Sequence, residues 1–157
     1  MQTITPCLWF DTEGEEAANF YTSLFPSSKI REIARYGSAG PRAEGTVMTV
    51  SFELNGQEYV ALNGGPDFKF NEAVSFQVGC ESQEEVDRYW SALSDGGEEG
   101  PCGWLKDKFG LSWQIVPTRL PELLGDPDRE KSQRVMRAML GMRKIEIDGL
   151  ERAAAAA

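Results

Sequence analysis

The sequence predicts an α+β fold of two βαβββ modules that form a U-shaped, cup-like mixed sheet, followed by a helical tail. The first observation is a pair of amphipathic helices whose residues align, Glu15-Glu16 with Glu84-Glu85 and Leu24 with Leu93, at a constant offset of 69 residues. The second is that each helix follows an apolar strand and precedes strands joined by glycine turns. One unit cannot bury both its helix and its sheet face, so two units are expected side by side.

The first module has clear local signals for each element. Asn55-Gly56 is a type I′ turn dipeptide and predicts a hairpin, and Pro26 stops the helix before it. The predicted elements are a strand at Ile4–Phe10, a helix at Glu15–Phe25, and strands at Lys29–Tyr36, Thr46–Leu54 and Gln57–Asn63.

The second module repeats this order and ends in a tryptophan-bearing hairpin. Ser82 with Glu85 forms a capping box at the start of the second helix, which runs to about Ser94. The predicted strands are Ala73–Cys80, a weak one at Glu98–Cys102, Trp104–Lys106 and Leu111–Val116, with Asp107–Gly110 as the hairpin turn and Pro117 as its end.

These patterns divide the chain into a domain at 1–120 and a tail at 121–157, with module one at about 1–66 and module two at about 67–120. In the tail, Asp126 is expected to cap a helix at Arg129–Met142 with Pro127 in its first turn, and a last helix starts near Asp148. The tail is apolar and rich in Met, so it docks either on its own domain or on a partner subunit.

Composition excludes several classes of function. The net charge of −9, with no Lys/Arg cluster, disfavours both nucleic acid and anionic membranes as partners. No apolar run approaches the ~20 residues that span a bilayer, and the N-terminus lacks signal-peptide features. The three scattered cysteines fit free thiols in a reducing cytoplasm.

The chain contains no histidine. This removes the commonest general base at neutral pH and the commonest metal ligand. Ser-His-Asp and Cys-His nucleophile systems and His-containing zinc sites are therefore excluded. Cys7 and Cys102 are expected to be inert for lack of a base.

Three groups of residues are candidates for a binding site, and each has a structural alternative. Large aromatics either line the cavity or belong to the core: Trp9, Phe76, Trp104 and Trp113. Polar residues within strands face either the cup or the outer side of the sheet: Asn63, Ser75 and Gln114. Phe68 and Phe70 form a lid, a dimer contact or a satellite cluster under their loop, and Lys106, Asp107 and Lys108 form a solvated turn.

Several strings resemble the PhnB-like branch of the vicinal oxygen chelate superfamily, which includes glyoxalases, bleomycin-resistance proteins and dioxygenases, over nearly the whole chain including the tail. The most specific strings are NGGPDFKFNEA and GWLKDKFGLSWQIVP. The resemblance implies paired βαβββ modules around a cavity, with the chain as a homodimer.

The resemblance also implies four metal-ligand positions, from the first and last strands of each module. Here they fall near Pro6, between Val60 and Asn63, near Ala73 or Ser75, and at Gln114. An amide oxygen can bind a hard cation, but this set includes no carboxylate and no imidazole. We therefore expect no bound metal and no cofactor.

The function expected is metal-free binding of a small aromatic or hydrophobic molecule, with no catalytic residue assigned. The resemblance leaves open a metal-dependent lyase, isomerase or dioxygenase, and a purely structural dimer with a filled cup is a third alternative. Many relatives also carry the label 3-demethylubiquinone-9 3-methyltransferase. The residues do not support this label, because Gly64-Gly65 follows a strand but opens no helix, as a nucleotide-type glycine loop requires.

Overall fold

The computed structural model describes residues 2–156 and divides after Phe70 into two compact units. Each unit contains a four-stranded mixed sheet, which makes the fold α+β as predicted. Within the described residues, no helix combines the length and apolar character needed to cross a membrane.

Unit one contains β1 (Cys7–Phe10), α1 (Gly14–Leu24), β2 (Lys29–Arg35), β3 (Val47–Leu54) and β4 (Gln57–Asn63). The strand order is β1-β4-β3-β2, with β1 parallel to β4 and the other pairs antiparallel. Asn55 and Gly56 have φ angles of 51° and 83°, which fits the predicted type I′ turn. The first strand begins at Cys7 rather than Ile4, which is exposed outside the sheet.

Unit two contains β5 (Ser75–Cys80), α2 (Gln83–Ser94), β6 (Glu98–Glu99), β7 (Trp104–Lys106) and β8 (Ser112–Pro117). Its order, β5-β8-β7-β6, repeats that of unit one, and β5 is again parallel to the last strand. The predicted βαβββ repeat is therefore confirmed. The fifth strand is two residues shorter than predicted at its start.

In each unit the helix packs on an apolar sheet face that alternation along the strands creates. In unit one, α1 buries Ala17, Ala18 and Tyr21, and the sheet buries Val50, Phe52 and Ala61. In unit two, α2 buries Val86, Tyr89, Trp90 and Leu93, and the sheet buries Leu105, Trp113 and Ile115. The Ser82 hydroxyl accepts a hydrogen bond from Glu85 N at 3.2 Å, as the predicted cap requires.

The tail forms three helices, α3 (Arg119–Leu124), α4 (Arg129–Leu140) and α5 (Ile147–Ala155), of which the sequence predicted the last two. They bury a small core: Leu120, Leu123, Val135, Ile145 and Leu150. The predicted cap at Asp126 is wrong, because Asp128 accepts from the backbone N–H groups of Glu130 and Lys131. Asp126 instead accepts from Asp128 N at 2.9 Å, which places Pro127 outside the helix.

The tail belongs to unit two and contacts the βαβββ part of that unit. The backbone N–H groups of Cys102 and Gly103 donate to the carbonyls of Met142 and Arg143, each at 2.8 Å. Lys144 Nζ lies 2.8 Å from Asp87 Oδ1 on α2. These contacts lie within one chain, and additional docking of the tail on a partner subunit stays a prediction.

Candidate functional site

The sheet of unit two has a polar face opposite the one that α2 covers. In the antiparallel ladder Trp104 lies opposite Gln114, and Lys106 lies opposite Ser112. Because residues opposite each other project to the same side, one row crosses the sheet as Glu98, Lys106, Ser112 and Ser75. A second row is formed by Trp104, Gln114 and Gln77.

Gln114, the amide expected to face a cup or solvent, finds partners on this polar face. Its Nε2 donates to Ser75 Oγ at 2.9 Å, and its Oε1 accepts from Gln77 Nε2 at 3.3 Å. The side chain is half-buried and both of its polar ends are bonded. Ser75 and Gln114, both predicted as site residues, are therefore in direct contact.

A groove of about 490 Å³ lies at one edge of this face, and we call it the Trp104 groove. Its volume falls within the range of ≈ 300–1,000 Å³ that is typical of small-molecule sites. The groove is lined by Glu72, Glu98, Glu99, Gly100, Pro101, Trp104, Leu105, Lys106 and Ser112, all within unit two.

The charged residues of the groove are held in defined pairs. Lys106 Nζ lies 2.6 Å from Glu72 Oε1, and this hydrogen bond raises the pKa of Lys106 and lowers the pKa of Glu72. Glu98 lies opposite Lys106 in the ladder and also favours its charged form. Glu99 Oε1 accepts from Trp90 Nε1 at 2.7 Å. Lys106 is therefore bound to a carboxylate rather than part of a solvated turn.

Ser112 is a buried polar residue of the groove. It has no exposed surface, and its Oγ has no hydrogen-bond partner among residues 2–156. An unsatisfied buried hydroxyl costs about 1–3 kcal/mol, so natural structures rarely keep one. Because the Oγ itself is buried, a molecule in the groove can supply the missing hydrogen bond only when the side chains that cover it move.

Trp113 and Asp107 lie in the core of unit two. Trp113 is 2% exposed, and its Nε1 donates to Asp107 Oδ2 at 2.9 Å, so it belongs to the core rather than to a cavity wall. The expectation that Asp107 lies in a solvated turn is wrong, because it too is 2% exposed. Phe76 packs edge-on against Trp113, with ring centroids 5.3 Å apart, and is half-buried.

Asn63 is also placed differently from the prediction. It lies on the helix side of its sheet and is buried, so it faces neither a cup nor solvent. Its Oδ1 accepts from Gly14 N at 2.7 Å and its Nδ2 donates to Val47 O at 3.2 Å. The amide thus accepts from the first N–H of α1, so the role of Asn63 is structural.

The remaining aromatic candidates form a cluster in unit one. Trp9 Nε1 donates to Gly65 O at 2.9 Å, and Phe68 packs edge-on against the Trp9 ring at 4.9 Å. Phe70 packs in the same way against Phe10 at 5.2 Å. Phe70 is half-buried, whereas Phe68 is 64% exposed, so the loop presents one large apolar side chain.

Sequence reasoning missed most of the groove. Of its lining only Trp104 was a candidate, and Glu72, Glu98, Glu99, Lys106 and Ser112 were not. The available signal was alternation, since Ser112 lies two residues before Gln114 and Lys106 two residues after Trp104. The pairing of these strands with the short β6 had no strong sequence signal.

The cysteine thiols are free, and burial raises the pKa of two of them. The pKa of Cys80 rises to about 11, first because of burial and second because of the nearby Glu85 carboxylate. Burial also raises the pKa of Cys7. A higher pKa leaves less reactive thiolate at neutral pH.

The donors around Gln114 do not fit a divalent metal ion. The neighbours that it contacts are a hydroxyl and a second amide, and its own carbonyl oxygen already accepts a hydrogen bond. Mg²⁺ and Ca²⁺ sites rely on carboxylates, and zinc sites on thiolate or imidazole. Residues 2–156 contain no group of three or more Cys, Asp or Glu side chains arranged to hold a metal ion. The absence of a metal stays a prediction.

Two βαβββ units, each with its first strand parallel to its last, make up the fold of vicinal oxygen chelate proteins. The family model described as 3-demethylubiquinone-9 3-methyltransferase matches residues 2–116, and the chain belongs to this PhnB-like family. The comparison with curated proteins found no match. The family match ends before the tail, so the resemblance of the tail to this family stays a prediction.

Solved structures support the same assignment. A PhnB protein from Bacillus cereus that carries the same methyltransferase name is 41% identical, with a TM-score of 0.67, and the match covers 74% of this chain and 100% of that one. Protein PA1353 from Pseudomonas aeruginosa is 19% identical, with a TM-score of 0.62 and coverage of 74% and 98%. The fosfomycin resistance protein FosX from Mesorhizobium loti is 11% identical, with a TM-score of 0.56 and coverage of 80% and 98%. The last two show the fold alone.

Proposed function

We propose that the chain binds a small aromatic or hydrophobic molecule in the Trp104 groove, without a metal ion. The observation that carries the proposal is a groove of about 490 Å³ that combines an aromatic wall with a buried, unpartnered hydroxyl, Ser112 Oγ. Small-molecule sites usually join apolar walls to a few polar groups that fix the orientation of the ligand.

The walls of the groove suit a planar ligand. Trp104 is half-buried, so part of its ring is available for contact, and the exposed Pro101 adds apolar surface. Aromatic pairs contribute about 0.5–1.5 kcal/mol beyond the area that they bury. The loop before Trp104 is held by the tail through Cys102 and Gly103, which keeps the wall in place.

The test is a panel of small aromatic compounds, screened by thermal stabilisation and then by calorimetry. We expect binders whose Kd rises about tenfold in Trp104→Ala, because one aromatic contact is lost. Trp9→Phe, which alters an indole outside the groove, should leave the Kd unchanged. Binding that is lost in Trp9→Phe and kept in Trp104→Ala would contradict the proposal.

A metal-dependent lyase, isomerase or dioxygenase is the main alternative within this superfamily, and the Gln114 donor set argues against it. Metal analysis of the purified protein decides between the two. An equimolar divalent ion that is lost in Gln114→Ala would overturn the metal-free proposal.

The family name suggests methyl transfer, but specific features of this chain argue against it. Gly64-Gly65 leads into an irregular loop rather than a helix, and neither sheet is doubly wound and parallel. The family name is therefore not proposed as the activity of this chain.

We also propose a cytoplasmic location, supported by three cysteines that are all free.

A further inference from the structure

We propose that the ligand of the Trp104 groove carries a primary ammonium group beside its aromatic ring. This inference rests on the proposed function and narrows it to organic cations. Three independent features of the groove support it: the charges of its lining, the aromatic ring of Trp104 and the buried hydroxyl of Ser112.

The lining carries more negative than positive charge. It contains three glutamates and one lysine, and that lysine is bound to Glu72. Glu98 and Glu99 are both exposed residues of β6 at the edge of the sheet. Arg143 comes close to this strand through a long hydrogen bond, 3.5 Å, from its Nη1 to the backbone carbonyl of Glu99 rather than to its carboxylate. A cation entering the groove therefore meets carboxylates, whereas an anion is repelled.

Trp104 adds a second attraction for the same charge. A cation over the face of an indole gains about 0.5–1 kcal/mol at exposed sites, through the quadrupole of the ring. Trp104 and Lys106 project to the same side of β7, and Lys106 is already held by Glu72, so the ring remains available to a ligand cation. A neutral ligand would gain only the apolar contact.

Ser112 separates a primary ammonium from other cations. Its Oγ can accept a hydrogen bond, and it lies in the same row as Glu98 and Lys106. A primary ammonium has three N–H donors and can donate to a carboxylate and to the hydroxyl at the same time, whereas a quaternary ammonium has no N–H donor. The unpartnered hydroxyl therefore favours an amine.

The experiment uses the full chain and three probes of similar shape: 2-phenylethylamine, 2-phenylethanol and phenylacetate. We expect calorimetry to show the tightest binding for the amine, weaker binding for the alcohol and the weakest for the acid. The affinity for the amine should fall as salt is raised, and that for the alcohol should not. Equal affinity for amine and alcohol would overturn the ammonium inference and leave the proposed function standing. Failure of all three to bind would overturn both.

Variants test the residues. Glu98→Gln should weaken binding of the amine about threefold to fivefold, because exposed charge pairs contribute modestly, and should leave the alcohol unaffected. Glu84→Gln, an exposed glutamate in the first turn of α2, is the matched control and should change neither. Ser112→Ala should weaken binding of the amine, because the amine loses a hydrogen-bond partner. The variant should not destabilise the free protein, because the hydroxyl that it removes is unsatisfied there. An unchanged amine affinity in both Glu98→Gln and Ser112→Ala would contradict the inference.

Discussion

At the scale of single residues, Asp107 determines the shape of the hairpin that carries the groove. Its Oδ1 accepts from the backbone N–H groups of Phe109 and Leu111 at 2.9 and 3.0 Å, and its Oδ2 accepts from Trp113 Nε1 at 2.9 Å. One carboxylate thus satisfies two turn amides and a buried indole. Gly110 completes the turn at a φ of 88°, which glycine adopts without steric cost.

We predict that Asp107→Ala lowers the free energy of unfolding by about 3 kcal/mol or more. The reason is that it leaves buried donors without an acceptor, each at a cost of about 1–3 kcal/mol. Chemical denaturation measures the loss. Asp67→Ala, at an exposed aspartate in the loop after β4, should cost about 0.5 kcal/mol or less. A loss below about 1 kcal/mol for Asp107→Ala would mean that the hydrogen bonds of Asp107 add little net stability.

At the scale of elements, Gln83 joins α2 to the tail within unit two. Its Nε2 donates to the carbonyl of Ile145 at 3.0 Å, and its Oε1 accepts from Ile147 N at 2.8 Å. The bond to Ile147 satisfies the first N–H of α5, which lacks a side-chain cap of its own. A residue at the start of α2 therefore serves as the cap of a helix that begins 64 residues later.

We predict that Gln83→Ala destabilises the tail by about 1–3 kcal/mol, since the Ile147 amide and the Ile145 carbonyl lose their partner. Hydrogen exchange should report faster exchange at the amide of Ile147 and through α5. Gln133→Ala, on the exposed side of α4, is the matched control and should leave exchange unchanged. Equal protection of α5 in both variants would show that the small core of the tail keeps α5 in place without the hydrogen bonds of Gln83.

The elements also show which features a sequence can predict. The Asn55-Gly56 turn and the Ser82 cap were predicted correctly, because each depends on residues within three positions of each other. The structural role of Asn63 was not predicted. Its partner Gly14 is 49 residues away, and only the pairing of β1 with β4 brings the two residues together.

The same distinction holds in the candidate site. Alternation identified Gln114 as a polar residue in an apolar strand. It did not predict the hydrogen bond between Gln114 and Ser75, which lies 39 residues earlier. The Trp104 groove depends on β6, which the sequence predicted only as a weak strand at Glu98–Cys102, without its pairing with β7. Local chemistry therefore predicted the elements, and the register between distant strands determined the site.

At the scale of the whole molecule, net charge and exposed apolar side chains act in opposite directions on self-association. The chain carries a net charge of −9, which opposes close approach of two copies at low salt. It also exposes large apolar side chains, Ile4, Phe68, Val74 and Leu140, each more than 60% exposed. Phe68 is the aromatic one, and its loop is anchored where Trp9 bonds to Gly65. Aromatic residues on ordered segments are favoured as interface anchors.

We predict a homodimer in which Phe68 is a contact. Light scattering after size exclusion should give twice the chain mass of 17.4 kDa, with a larger dimer fraction at higher salt because screening weakens the repulsion between the acidic chains. Phe68→Ser should shift the equilibrium towards the monomer by tenfold or more, which corresponds to about 1.4 kcal/mol. Leu140→Ser, at an exposed apolar residue of the tail, should not shift it, and a shift caused by Leu140→Ser alone would place the contact on the tail instead. A monomeric mass at every salt concentration would contradict the dimer.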